Sequence, residues 1–180
     1  MKKLCLVLTL VFVLMLTSCS LGKDTPTKTP SNDKEVVSQE KEEMLYEYVL
    51  YYPDSQAQTL NPVVKKAIKE KVTDEEFVLT ELLKVKGSED GKYLSVIAPD
   101  TRLNSCSVKD GICTVDFNKA FLNIKGTATQ KMAVYSVVNT LCNMDSVESV
   151  QFLIDGEKVE IFGGYIFDEP FEADLSIIAE

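Results

Sequence analysis

The sequence contains no histidine and no tryptophan, and Arg102 is its only arginine. Without imidazole there is no Ser-His-Asp or Cys-His catalysis and no histidine-ligated metal centre. A lone guanidinium cannot build the arginine clusters that clamp phosphate or carboxylate groups. Positive charge is scarce throughout: 19 Lys and Arg stand against 28 Asp and Glu, a net charge of −9. A surface of that sign repels nucleic-acid phosphates and anionic headgroups, which excludes nucleic acid as a partner. No pattern for a cofactor or a metal is present either. These absences rule out many hydrolases and transferases and leave only enzymes that work with carboxylates alone.

The long apolar run from Leu4 to Leu16 is too short to span a bilayer comfortably. Met1-Lys2-Lys3 precedes it and Thr17-Ser18-Cys19 follows it. A basic start, a short hydrophobic stretch and small residues before a processing point are the parts of a secretory signal. Leu16-Thr17-Ser18-Cys19 resembles the lipobox of bacterial lipoproteins, which implies cleavage before Cys19 and a diacylglycerol on its sulfur. Residues 1–18 are therefore expected to be an export signal and Cys19 a lipid anchor on the extracytoplasmic face of the cell membrane. Losing Lys2 and Lys3 leaves 19 − 2 = 17 basic residues against 28 acidic ones, a net charge of −11. Membrane contact is then expected from the lipid, since more than one acyl chain is needed for stable anchoring and no basic patch supplies it. Residues 19–44 carry the lipidated cysteine and a Thr-, Ser-, Pro-, Lys- and Glu-rich stretch without aromatics. Such composition cannot bury enough apolar area to offset its ordering entropy, so a flexible linker is expected there.

Residues 45–180 suffice for one domain with a single core. Leu45 to Tyr52 is apolar and aromatic throughout and is closed by Pro53-Asp54, which predicts a strand, central because both its faces are apolar. Leu60 to Val72 fits either a helix or an edge strand, given Pro62 and its scattered lysines. Thr73-Asp74-Glu75-Glu76 is a capping box that opens a helix with Phe77, Val78, Leu82, Leu83 and Val85 on its apolar stripe, and Gly87 is expected to cap it. Tyr93 to Ile97 is a short apolar segment. Asp110-Gly111 joins Leu103–Val108 to Ile112–Phe117 as a hairpin. Thr127-Ala128-Thr129-Gln130 starts a second, wider apolar helix that runs to Cys142. Ser149–Ile154, the turn Asp155-Gly156 and a returning strand over Val159–Phe162 follow, and the acidic tail from Asp168 either docks or frays. Two helices interleaved with hairpins predict an α+β fold, with both helices on one face of a mixed, largely antiparallel sheet.

Five cysteines are present, of which Cys5 is expected to leave with the signal and Cys19 to carry lipid. Cys106, Cys113 and Cys142 remain, an odd number, so at least one thiol stays unpaired. A disulfide between Cys106 and Cys113 and a pair of small buried hydrophobes are both open, because a diagonal pair across a hairpin is wider than a disulfide prefers.

Several motifs occur in one order: Tyr51 after an apolar strand, Leu82-Leu83 at a helix end, Ile97-Ala98-Pro99-Asp100-Thr101-Arg102-Leu103, Val115-Asp116-Phe117, Val138-Asn139-Thr140-Leu141, and Val147 to Gly156. Together they resemble the GerMN domain of sporulation and spore-germination lipoproteins, over about Tyr46 to Asp168. The resemblance implies an α/β domain akin to the ring-building motifs of sporulating-cell envelope assemblies, without enzymatic activity, working by packing against other proteins. The sequence carries one copy where the best-known members carry two in tandem. Lys84 to Glu89 also departs from the Gly-Pro pair that often follows this helix in the family.

Asp116 and Asp155 are the carboxylates that would have to serve acid–base chemistry, for which a glycan-cleaving enzyme needs two at a defined separation. Turn chemistry already accounts for Asp155, and a half-buried strand or a bond to a backbone amide accounts for Asp116. Asn139, inside an apolar helix, is expected to satisfy a buried backbone group. No catalytic residue is assigned. Two readings follow. The first is a structural or adaptor domain that associates with other envelope proteins or with itself, and expects an exposed apolar patch or a free strand edge. The second is a peptidoglycan-binding module, with Tyr48, Tyr52 or Tyr165 stacking on sugars.

Overall fold

The run that begins at Leu45 forms a strand, but a less central one than its composition suggests. In this computed structural model, which describes residues 45–180, β1 (Leu45–Pro53) pairs only with β2 (Leu60–Ile68), antiparallel, as a two-stranded ribbon. Tyr48, Leu50 and Tyr52 face the core while Leu45 and Glu47 are exposed. Both faces of β1 are apolar because one face meets the core and a helix approaches its other edge, not because strands flank it. The signal, Cys19 and the linker lie outside the described residues.

The remaining elements are α1 (Asp74–Leu83), β3 (Leu103–Lys109), β4 (Ile112–Phe117), α2 (Thr127–Cys142), β5 (Ser149–Ile154), β6 (Ile161–Phe162) and β7 (Tyr165–Ile166). The fold is α+β with a mixed central sheet. β3 and β4 form the Asp110-Gly111 hairpin, and β4 and β5 run parallel with α2 as the crossover between them. A parallel pair needs such a long connection, whereas the hairpin needs only two residues with positive φ, here Asp110 at 52° and Gly111 at 78°. Among the described residues the strands divide into three small sheets, and α2 touches both β1 and β5. That explains its burial on nearly every side from Met132 to Leu141.

Local signals held in part. The Thr73 hydroxyl accepts the Glu76 amide at 3.2 Å, and three acidic residues occupy the first turn of α1, where the helix dipole favours them. Gly87 does not cap this helix. The last turn ends at Lys84 in ordinary helical geometry, and Gly87 serves the next loop, where an added Cβ would sit 3.1 Å from the Tyr93 carbonyl. The second capping box is also not formed. Gly126 is the N-cap of α2, Thr127 is already helical, and the Gln130 side chain donates to the Ile124 carbonyl at 2.9 Å. Val159–Phe162 does not return along β5; β6 pairs with β7 instead, because Gly163-Gly164 turns the chain at once. Tyr93 to Ile97 forms no strand, although Tyr93 bridges Asp54 and Val96 is buried.

The core is one cluster, rich in phenylalanine. Phe117 stacks on Phe121 at 4.9 Å, Phe152 on Phe167 at 4.8 Å, and Phe171 meets Phe152 edge-on at 5.6 Å. Each such side chain contributes roughly 1.5–3 kcal/mol by leaving water. Phe171 comes from the tail, which docks rather than frays: its amide and carbonyl exchange bonds of 2.8 Å with Val150.

Candidate functional site

The carboxylates come first, since they alone could carry acid–base chemistry. The Asp116 carboxylate accepts the Gly156 amide at 3.0 Å, the backbone role expected of it. Asp155, at φ 50°, sits in the turn, with Asn104 donating to it at 3.4 Å and the Lys119 ammonium ion-paired with it 3.7 Å away. Both acids are occupied in holding the β5 turn against β4. Among the described residues no group of three or more Cys, Asp or Glu could hold a metal ion.

Asn139 is likewise structural. Its amide nitrogen donates to the Asp174 carbonyl at 3.0 Å and its oxygen accepts the Asp174 amide at 3.1 Å. The Asp174 carboxylate is held below the usual range, first by the Ser176 hydroxyl and also by Lys131, 3.5 Å away.

The three tyrosines named for sugar stacking do not form a platform. Tyr48 and Tyr52 are buried. Tyr48 donates to Glu81 at 3.1 Å, and burial followed by that carboxylate pushes its phenol up to about 12. Tyr165 packs edge-on against Tyr135 at 5.9 Å.

Cys106 and Cys113 lie on neighbouring strands in the expected diagonal, Cys106 opposite Val115 and Cys113 opposite Val108. Their sulfurs are 3.5 Å apart, as thiols. Contact with Cys106, followed by burial, pushes the Cys113 thiol far up, and burial raises Cys142 to about 11. Neither is poised as a nucleophile.

What the chain does present is surface. The β1–β2 ribbon carries Leu45, Val64 and Ile68 at 58%, 60% and 53% exposure, with Leu45 directly opposite Ile68. A cross-strand ion pair, Glu47–Lys66 at 2.7 Å, lies between them. Two clefts flank the ribbon. One of about 420 Å³ runs beside β1 and is lined by Glu47, Asp74, Asn143 and Asp145; Asp74 there is paired with Lys69. The other, of about 370 Å³, lies between β2 and the end of α1, and brings Lys65, Lys84 and Lys86 together beside Tyr52 and Tyr93. Sequence reading missed this lysine cluster because its members come from separate elements. The one available signal was an unusual density of lysine on a strand.

No curated protein matches the chain. Among solved structures, the tandem GerMN domains of the sporulation protein GerM from Bacillus subtilis superpose with a TM-score of 0.64 at 23% identity, covering 81% of this chain and 51% of that one. This chain thus spans about half of that tandem structure. The first GerMN domain of the same protein superposes with a TM-score of 0.50 at 26% identity, over 72% of this chain and 96% of the other. Residues 49–160 match the Germane family model, described as sporulation and spore germination. With that span covering more than half of its length, the chain belongs to the Germane family of sporulation and spore-germination domains.

Proposed function

We propose that this protein is a lipid-anchored, extracytoplasmic adaptor of a sporulation- or germination-related assembly that acts by surface contact and performs no catalysis. The observation that carries the reading is the β1–β2 ribbon, whose exposed apolar residues lie on a strand with an open edge. Exposed β-branched residues beside unpaired backbone groups favour strand pairing with another chain. Family membership supports the cellular setting, and the lipobox supports the anchor. The occupied carboxylates and raised thiols argue against acid–base or thiolate chemistry. Sugar stacking is less favoured, because two of its three tyrosines are core residues.

In vivo crosslinking of the full-length protein in sporulating cells is the direct test, with Cys19→Ala as a companion. Protein adducts that form with the wild type and fade when Cys19→Ala leaves the membrane are expected. Retention on purified sacculi without any protein adduct, or turnover of a wall polymer, would refute the adaptor reading.

A further inference from the structure

The Tyr51 amide does not point at β2. It donates to the Thr140 hydroxyl of α2 at 3.0 Å, on the far side of β1. The facing residue is Pro62, which has no N–H. This is therefore a pair whose backbone groups turn away from the partner strand, and alternation along an antiparallel ladder fixes the rest. On β2 the residues that turn outward are Leu60, Pro62, Val64, Lys66 and Ile68. The C-terminal tail uses the first: Ala179 donates to the Leu60 carbonyl at 2.9 Å, and Ile178 bridges Leu60 in parallel. Pro62 offers the tail no N–H. Beyond it, the outward N–H and C=O groups of Val64, Lys66 and Ile68 have no strand partner among the described residues.

The side chains along this edge are sorted by face. Val64, Lys66 and Ile68 share one face with Leu45. Lys65 projects to the other, into the cleft that also holds Lys84 and Lys86. Lys84 is paired with Glu81, whereas Lys65 and Lys86 have no carboxylate within ion-pair distance among the described residues. This is a concentration of positive charge in a chain whose net charge is −9.

Lysine on an edge strand also has a protective role, since it discourages edge-to-edge association. Here that role selects against one occupant in particular. Antiparallel pairing of β2 with a second copy, centred on the free stretch, sets Lys66 against Lys66, and in-register parallel pairing stacks Lys65 and Lys66 on themselves. Like charges directly opposite are destabilising. An incoming strand with acidic side chains on the cleft face meets no such penalty and gains two unpaired lysines, Lys65 and Lys86, beside Lys84. Resting on the adaptor reading above, we propose that the outer edge of β2 from Val64 to Ile68 takes up an extended acidic segment of another protein by strand addition, and that its lysines reject a second copy of this chain. The incoming strand alternates, acidic toward Lys65, Lys84 and Lys86 and apolar toward Val64 and Ile68.

The test uses the full-length lipidated protein in detergent micelles and two blocked peptides, one alternating Glu with Val and one alternating Lys with Val. The acidic peptide should bind, protecting the amides of Val64, Lys66 and Ile68 from hydrogen exchange, and the basic one should not. Lys65→Glu with Lys86→Glu should weaken binding by about tenfold or more, as losing charge pairs at an interface does. Val64→Pro, which removes an outward N–H, should weaken it similarly; the exchange pattern of the wild type decides the matter if that variant does not fold. Equal binding of both peptides overturns the proposal. So does uptake of polyphosphate that needs the lysines but is indifferent to Val64→Pro, which marks a polyanion surface. Copy-to-copy crosslinks at Lys66 overturn it as well. Capture of a protein partner through another surface sinks this edge while leaving the adaptor reading intact.

Discussion

The side-chain amide of Asn139 forms a two-bond clasp with the backbone of Asp174, one bond in each direction, across 35 residues of sequence. Such an amide mimics a strand neighbour, and it ties the tail to the most buried helix of the domain. Replacing Asn139 with Leu should cost about 1–3 kcal/mol, because a freed backbone amide and carbonyl must find water. Urea denaturation measures the loss, and hydrogen exchange should localise it to residues 171–179. An unchanged exchange pattern in the tail would show that the clasp does not hold it.

Thr140 does for β1 what Asn139 does for the tail. Thr140→Val keeps the shape and removes the acceptor of the Tyr51 amide. The expected cost is about 1–3 kcal/mol, the penalty for a buried donor left alone. The matched substitution Thr129→Val, at a more exposed position early in α2, serves as the control and should cost much less.

Ser136 predicts the opposite sign. It is 1% exposed, and its hydroxyl has no partner among the described residues, beside a small open pocket of about 10 Å³. Ser136→Ala removes an unsatisfied group and favours the helix, so stability should rise by about 1 kcal/mol. A loss of that size in thermal or chemical unfolding would mean that the hydroxyl is bonded after all.

Stability should fall at both ends of the pH scale. The Asp54 carboxylate is lowered first by the Gln58 amide and further by Thr59 and Gln56, and Asp174 is lowered by Ser176. Groups depressed in the folded state contribute above their unfolded value of about 3.9, and that contribution is lost as pH falls through the folded value. Tyr48 is raised to about 12, so its contribution is intact below about 10 and disappears as pH climbs through 12. Thermal midpoints between pH 2 and 7 should decline below about 4. Asp54→Asn should flatten that limb, and Tyr48→Phe the alkaline one.

The thiols are predicted to be slow. Cys113 is raised by Cys106 and by burial, and Cys142 stands at about 11, so the thiolate needed for alkylation is scarce near neutrality. Iodoacetamide at pH 8 should label neither residue in the native protein and both after denaturation, as read by peptide mass. Rapid native labelling of Cys113 would contradict its burial.

Much of this architecture is legible in one dimension. Asp110-Gly111 announces its hairpin because two consecutive positive-φ residues are needed there and few other pairs supply them. Thr73 announces α1 because its hydroxyl acts three residues away. Thr127 misleads by the same rule, since Gly126 takes the cap and shifts the helix by one position. Asp116 and Asn139 could be read as structural because an isolated polar group in an apolar segment needs a backbone partner. Which backbone, Gly156 in one case and Asp174 in the other, could not be read.

The sequence by itself determined both helices and the Asp110-Gly111 hairpin, the family resemblance, the acid balance and the absence of imidazole chemistry, since these depend on residue identity and near-neighbour spacing. Only the tertiary structure decided that β1 has a single strand partner, that Tyr48 and Tyr52 are walled in, and that Lys65, Lys84 and Lys86 share a cleft. Those facts depend on which distant segments meet. That outcome follows from burying the apolar faces of α2, β1 and the tail against one another, a many-body packing result that no local rule encodes.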